Sequence, residues 1–222
     1  MRIKKNTIVK IGFVIVTILI AGMVFASLAE DLVNRESLST IDPIFGNWLV
    51  SHTTLAGDHV FAFITFLGNA LIISAGTGLI GFWFIRQRNW KKITLLFSSV
   101  AGGALLNLAL KNIFQRARPA IPGAYMVDTG FSFPSGHSMI SLVFYGVVAY
   151  LALSYVKSKK WKVFIVAGAL AICALIGFSR LYLGVHFLTD VLAGWAAGGL
   201  WLAVCILWDL WQQNKILQKA VS

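Results

Sequence analysis

Six apolar runs, each close to the length of a membrane span, constrain this chain more than any other feature. They cover Ile8–Ala29, Val60–Ile85, Ile93–Leu110, Ser138–Tyr155, Val163–Phe178 and Leu188–Trp208. A helix needs ~20 residues to cross the hydrocarbon core, and these runs supply roughly that. Strands are excluded because runs this long show no period-2 alternation. Composition agrees: 58% of the 222 residues are hydrophobic and 12% are charged, against about half and about a quarter in a soluble domain. The expected fold is all-α, a six-transmembrane-helix bundle in a polytopic membrane protein. No repeat or low-complexity tract divides the chain, so residues 1–222 read as one domain.

The first run shares some features with a cleavable signal. Arg2, Lys4 and Lys5 precede it, and Ser27-Leu28-Ala29 resembles a cleavage site. Its apolar core is longer than the ~7–15 residues of a signal, so a retained span is expected.

A formal charge of +11 invites a nucleic-acid reading, but the distribution of that charge argues against it. Fourteen of the 19 basic residues fall in segments on one side: Arg2, Lys4, Lys5, Lys10; Arg86, Arg88, Lys91, Lys92; Lys157, Lys159, Lys160, Lys162; Lys215 and Lys219. The positive-inside rule makes that side cytoplasmic, with both termini inside. Basic loops there attract anionic headgroups, so membrane lipids are the expected partners and nucleic acid is not. No obligate protein partner is evident. Trp83, Trp90, Trp161, Trp208 and Trp211 flank the same ends, as an interfacial aromatic belt does.

The other side keeps five basic residues, Arg35, Lys111, Arg116, Arg118 and Arg180, beside seven of the eight acids. It also holds all four prolines and all four histidines, His52, His59, His137 and His186. A face that the topology rule depletes of cations has kept four of its five in two short segments. That points to anion binding. In the Glu30–Asp58 segment, Asp42 can cap a short helix with Pro43 at its first position. Ile41, Phe45, Trp48 and Leu49 would then form an apolar stripe lying in the interface. Cys173 and Cys205 lie inside apolar runs and read as buried thiols, neither a zinc site nor a disulfide.

Three polar segments carry the candidate chemistry. In KNIFQRARP (111–119), Lys111 ends a helix, where the dipole favours a cation. Arg118 precedes Pro119 and so turns out of the helix. A lysine point charge and an arginine fork both suit phosphate oxygens, although both also serve as snorkelling residues at span ends. In PSGH (134–137), Pro134 ends a loop and Ser135 is a good N-cap. The free N–H groups around Gly136 then make an anion site, with His137 in the first turn. An ordinary capped helix with one interfacial histidine is the plainer alternative. In SRLYLGVHFLTD (179–190), His186 and Asp190 stand at i and i+4 and are expected on one face of the sixth helix's first turn. A carboxylate one turn away fixes the imidazole tautomer and raises its basicity, leaving the other nitrogen as a nucleophile. Arg180 adds a third cation. Charged groups cost ~2.5–3.5 kcal/mol at a span centre and less near the interface, so those retained there default to function.

Other chemistries use the same residues. Zinc on His137, His186 and Asp190 is opposed by three converging cations. A serine hydrolase using Ser135 or Ser179 lacks the G-x-S-x-G elbow. Transporter sites lie near the midplane rather than at span ends.

Taken together, Lys111-x6-Arg118-Pro119, then Pro134-Ser135-Gly136-His137, then Ser179-Arg180-x5-His186-x3-Asp190 resembles the three-part signature of the type 2 phosphatidic acid phosphatase superfamily. Every defining position is filled, and the six-helix layout with an outward-facing site is also that family's. The resemblance implies a lipid-phosphate phosphatase acting at the outer face of the cytoplasmic membrane. It implies that His186 attacks phosphorus to form a phosphohistidine, oriented by Asp190. His137 would protonate the leaving alcohol and then activate water. Lys111, Arg118, Arg180, Ser135 and the Gly136 N–H would hold the phosphoryl oxygens, with Pro119, Pro134 and Ser179 supporting them. No metal and no cofactor is expected. Phosphatidylglycerophosphate or a related lipid phosphate is the implied substrate, and undecaprenyl diphosphate is the alternative. A phosphotransferase and a non-enzymatic binder or transporter remain open.

Overall fold

The chain folds into eight helices in the computed structural model, which describes residues 5–34, 38–120, 124–126 and 128–219. They are α1 (Lys5–Asn34), α2 (Leu38–Val50), α3 (Leu55–Phe66), α4 (Ala70–Arg86), α5 (Trp90–Phe114), α6 (Gly136–Leu153), α7 (Lys159–Tyr182) and α8 (Leu188–Lys219). Arg2, Lys4, Arg35, Glu36 and Pro122, which enter the reading of the two faces, lie outside the described residues. Among the described residues, six segments are long and apolar enough to cross a membrane, the second being α3 and α4 taken together. The protein is a multi-pass membrane protein, as the apolar runs predict.

That second span departs from the single helix expected over Val60–Ile85. It breaks at Leu67–Asn69, where the Asn69 side chain caps α4 by accepting the Leu71 N–H at 2.9 Å. A break inside a membrane leaves backbone groups that must be satisfied within the protein. The Tyr145 hydroxyl of α6 does this for the Leu67 carbonyl, donating at 3.0 Å. Gly68 lets the broken backbone come close to its neighbours, since a Cβ there would lie 2.7 Å from Ile176 and 3.2 Å from the His137 ring.

Close backbone packing brings α6 and α8 together. Cβ atoms on Gly194 and Gly198 would lie 2.7 Å from the carbonyl oxygens of Ser135 and Met139 respectively. Small residues four apart allow such approach where lipid provides no hydrophobic drive for helix association. The contact fixes two motifs together, because the Ser135 N–H donates to the Asp190 carbonyl at 2.9 Å. Helix α1 packs along the far half of α8, with Val14 against Ala203 and Leu210. Phe84, Leu95, Leu96, Val147, Leu151 and Cys205 fill the core between α4, α5, α6 and α8. Cys173 and Cys205 are both free and buried.

The connectors sort to two ends. At one, Lys92 donates to the Ser154 hydroxyl at 2.9 Å and lies 3.8 Å from the Tyr155 ring centroid, joining the basic α4–α5 and α6–α7 turns. At the other, the α1–α3 segment, the α5–α6 connector and the α7–α8 turn meet over the site.

Helix α2 corrects two expectations. It begins at Leu38, so Pro43 lies inside it and Asp42 does not cap it. The Asp42 carboxylate instead caps α8 from across the fold, accepting the Thr189 N–H at 3.1 Å and the Thr189 hydroxyl. That turn of α2 is therefore set by Asp42 facing inward. Leu49 is buried with it, and Phe45 packs on the cluster of Leu49, Leu181 and Val191. The exposed stripe is Ile41, Ile44 and Trp48, rather than one that includes Phe45 and Leu49.

Candidate active site

The turn between α7 and α8 sets the spacing of Arg180 and His186. Gly184 sits at φ +73, the left-handed conformation that a glycine adopts without a Cβ penalty. The Gly184 N–H bonds the Leu181 carbonyl at 3.0 Å, and the Val185 N–H bonds the Arg180 carbonyl at 3.2 Å. Those two bonds make a Schellman motif, which ends α7 and reverses the chain into α8. His186 lies two residues before α8 rather than inside its first turn. Asp190, in that first turn, accepts the Phe187 N–H at 3.0 Å and faces the His186 Nδ1 at 3.2 Å, both through Oδ2.

A carboxylate at Nδ1 makes that nitrogen the N–H donor, which leaves the Nε2 lone pair free to accept. It accepts from Arg118, whose Nη1 stands 3.1 Å away. Burial pushes the His186 imidazole down to about 4, although the Asp190 hydrogen bond opposes the shift. The ring is therefore neutral near pH 7 and presents a lone pair toward a cation.

Three expected cations converge there. Arg118 also donates from Nε to the Gly130 carbonyl at 3.0 Å and from Nη1 to the Val185 carbonyl at 3.0 Å. Lys111 donates to the Phe131 carbonyl. Arg180 is 1% exposed, and it donates to the Thr65 hydroxyl at 2.8 Å and to Asp128 at 2.7 Å. Its Nε is buried without a partner among the described residues. Burial alone would raise the Asp128 carboxyl, but the Arg118 and Arg180 guanidinium groups outweigh it and hold the group below the usual carboxylate range.

Ser135 caps α6 as expected, its hydroxyl oxygen accepting the Ser138 N–H at 3.4 Å. Gly136 has a packing reason in addition to the expected one. A Cβ there would lie 3.1 Å from Asn107 Oδ1, and the same side chain donates to the Pro134 carbonyl at 3.3 Å. His137 follows in the first turn, within electrostatic reach of Arg180, His186, Asp128 and Arg118. Ser179 is buried with its hydroxyl donating to the Ile176 carbonyl at 2.6 Å, so it supports α7 and does not face the cluster. Pro134 is buried in the connector and Pro119 half-buried just beyond Arg118.

Four polar residues found here were not assigned from sequence. Asp128 and Thr65 hold Arg180, Asn107 backs Gly136, and Arg116 grips Asp190. Only Arg116 had a signal, as one of two unassigned cations on the depleted face, the other being Arg35. Both oxygens of Asp190 are held by protein groups, Oδ1 by Arg116 and Oδ2 by His186 and the Phe187 N–H.

Residues 91–214 match the family model of the PAP2 superfamily, and the chain belongs to that superfamily. Among similar proteins, phosphatidylglycerophosphatase B of Bacillus subtilis (strain 168) is 39% identical over 150 residues, covering 64% of this chain and 70% of that one. An undecaprenyl-diphosphatase of Sulfolobus acidocaldarius is 33% identical over 116 residues, covering 50% and 51%. The crystal structure of a transmembrane PAP2-type phosphatidylglycerolphosphate phosphatase from Bacillus subtilis superposes with a TM-score of 0.80 at 30% identity, covering 87% of this chain and 96% of that one.

Proposed function

We propose that the protein is a membrane lipid-phosphate phosphatase, working through a phosphohistidine on His186, with phosphatidylglycerophosphate as its leading substrate. The observation that carries this is the neutral His186, its Nδ1–H on Asp190 and its Nε2 turned into a cluster of Lys111, Arg118 and Arg180. Phosphoryl transfer is mostly positioning plus stabilisation of charge on three equatorial oxygens. Three cations and the N-terminus of α6 supply that charge. Arg180 Nε, without a partner among the described residues, is a donor that a phosphoryl oxygen would satisfy. His137 is the acid for the leaving alcohol and then the base for water. Likeness to the Bacillus phosphatase supports the substrate. Likeness to the Sulfolobus enzyme favours a second reading, a polyprenyl diphosphate.

Purified protein should release inorganic phosphate from one of these lipids, and assays of phosphatidylglycerophosphate, phosphatidic acid and undecaprenyl diphosphate side by side rank them. A binder or transporter releases none. Because protein cations supply the positive charge, activity should persist in EDTA. Vanadate, a trigonal-bipyramidal oxyanion when bound, should inhibit. Activity lost in EDTA and restored by zinc or magnesium contradicts this.

The charge asymmetry further supports a place in the cytoplasmic membrane with both termini inside and the site at the outer interface. Helix α2 would then rest in that interface with Ile41, Ile44 and Trp48 toward lipid. In intact cells, a single reactive cysteine at Asn34 should react with an impermeant maleimide, and one at Ser158 should not. The reverse pattern inverts the orientation and moves the chemistry to the cytoplasm.

A further inference from the structure

A second buried charge cluster lies behind the proposed nucleophile, and among the described residues none of its members forms a hydrogen bond or ion pair with Lys111, Arg118 or Arg180. Arg116 donates from Nη1 to Asp190 Oδ1 at 2.7 Å and to the Thr189 hydroxyl at 2.7 Å. From Nη2 it donates to Asp42 Oδ2 at 2.7 Å. The planar fork thus bridges two fully buried carboxylates while the Phe187 ring centroid lies 4.1 Å from its guanidinium carbon. Asp42 in turn accepts the Thr189 N–H, so it holds the first turn of α8 from α2.

We infer that Arg116 and Asp42 are positioning residues for the His186–Asp190 pair, clamping the Asp190 carboxylate so that Oδ2 alone faces the imidazole. This rests on the reading of His186 as nucleophile. Asp190 has two oxygens, and a carboxylate free to rotate about its terminal bond would present either one. Arg116 takes Oδ1, which leaves Oδ2 for the Nδ1–H. The Phe187 N–H fixes that second oxygen from the other side. A direct phosphate role for Arg116 does not fit. Its side chain borders a separate cavity of about 600 Å³ together with Asp31, Pro43, Phe114, Phe187 and Thr189, and neither Lys111, Arg118 nor His186 lines it.

The charge of Arg116 has its own effect. With it in place, part of the Asp190 charge is neutralised, so the carboxylate attracts a proton to the imidazole less strongly. The other charged or titratable groups around His186 are Arg118 beyond α5, Arg180 on α7 and Asp128 before α6. His137 on α6 faces His186, and Lys111 on α5 faces Asp190. None of these is removed when Arg116 is changed, so a shift on its removal belongs to the Asp190 side.

Single and double variants of the whole chain in detergent, assayed for phosphate release from phosphatidylglycerophosphate, test the inference. Arg116→Gln should lower kcat about 10- to 100-fold, the range for partners that orient a reacting group, with KM little changed. Its acid limb in kcat/KM should also move to higher pH by about one unit, because two buried carboxylates lose their shared cation. Arg116→Lys keeps the charge without the fork, so kcat should fall while the acid limb stays. Asp42→Asn should lower kcat by a smaller factor than Arg116→Gln. In an Asp190→Asn background, Arg116→Gln should change the residual rate less than about twofold, since residues acting through one another do not add. Full additivity there, or an unmoved acid limb in Arg116→Gln, overturns the inference and leaves His186 as nucleophile. Full activity of His186→Ala overturns the phosphohistidine reading itself.

Discussion

His186→Ala should lose phosphate release from every substrate, whereas His137→Ala should lose it in a way that depends on the leaving group. Nε2 of His186 is the lone pair in the proposal, and no other group among those assigned can replace it. The loss should reach about four orders of magnitude or more, as in enzymes that lose a nucleophile or its tautomer control. His137 has a different part. An alkoxide is a poor leaving group and needs its proton, so removing the acid should cost about 10²- to 10⁴-fold with a lipid phosphate. An aryl phosphate ester leaves without a proton, and phosphoryl transfer to His186 should stay fast. Water activation would still be lost, so the phosphoenzyme should accumulate. Stopped-flow measurement with His137→Ala should therefore show a burst of phenolate followed by a slow steady state. The same slow, burst-free trace for both variants contradicts the division of labour.

Arg180→Gln should cost about 10²- to 10³-fold in kcat/KM, the usual loss when one donor to a developing oxyanion is removed. This guanidinium is 1% exposed, and two of its three nitrogens are already held by Thr65 and Asp128. Its plane is therefore fixed before any ligand arrives, which leaves Nε as a preorganised donor. Vanadate inhibition should weaken in parallel, because vanadate uses the same oxygens. The thermal unfolding profile separates this from simple loss of fold. A variant that stays folded and keeps the parent's vanadate affinity removes Arg180 from the anion site.

The sequence was informative where one residue type carries one physical meaning. Long apolar runs gave the six spans because a bilayer rewards length and hydropathy alone. The three motifs stood out because Lys111, Arg118 and Arg180 sit on a face that topology depletes of cations. His186 and Asp190 are four apart, so their pairing needed only local geometry. The break at Leu67–Asn69 was hidden, since one asparagine barely changes the apolarity of a 32-residue span. Its cap and the Tyr145 bond that tolerates it are side-chain events. Asp42 was misread for a related reason. A local rule made it a cap for its own helix, while its partner Thr189 lies 147 residues away. Asp128, Thr65 and Asn107 are likewise defined by partners distant in sequence, which spacing cannot reveal.

The most direct test of the account is to locate the phosphate during turnover. Protein mixed with ³²P-labelled lipid phosphate and quenched in base should carry label that is stable to alkali and released by acid, as a phosphohistidine is. Peptide mapping should place that label on His186 and find none in His186→Ala. Label on Ser135 or Asp190, or label retained by His186→Ala, would contradict the account.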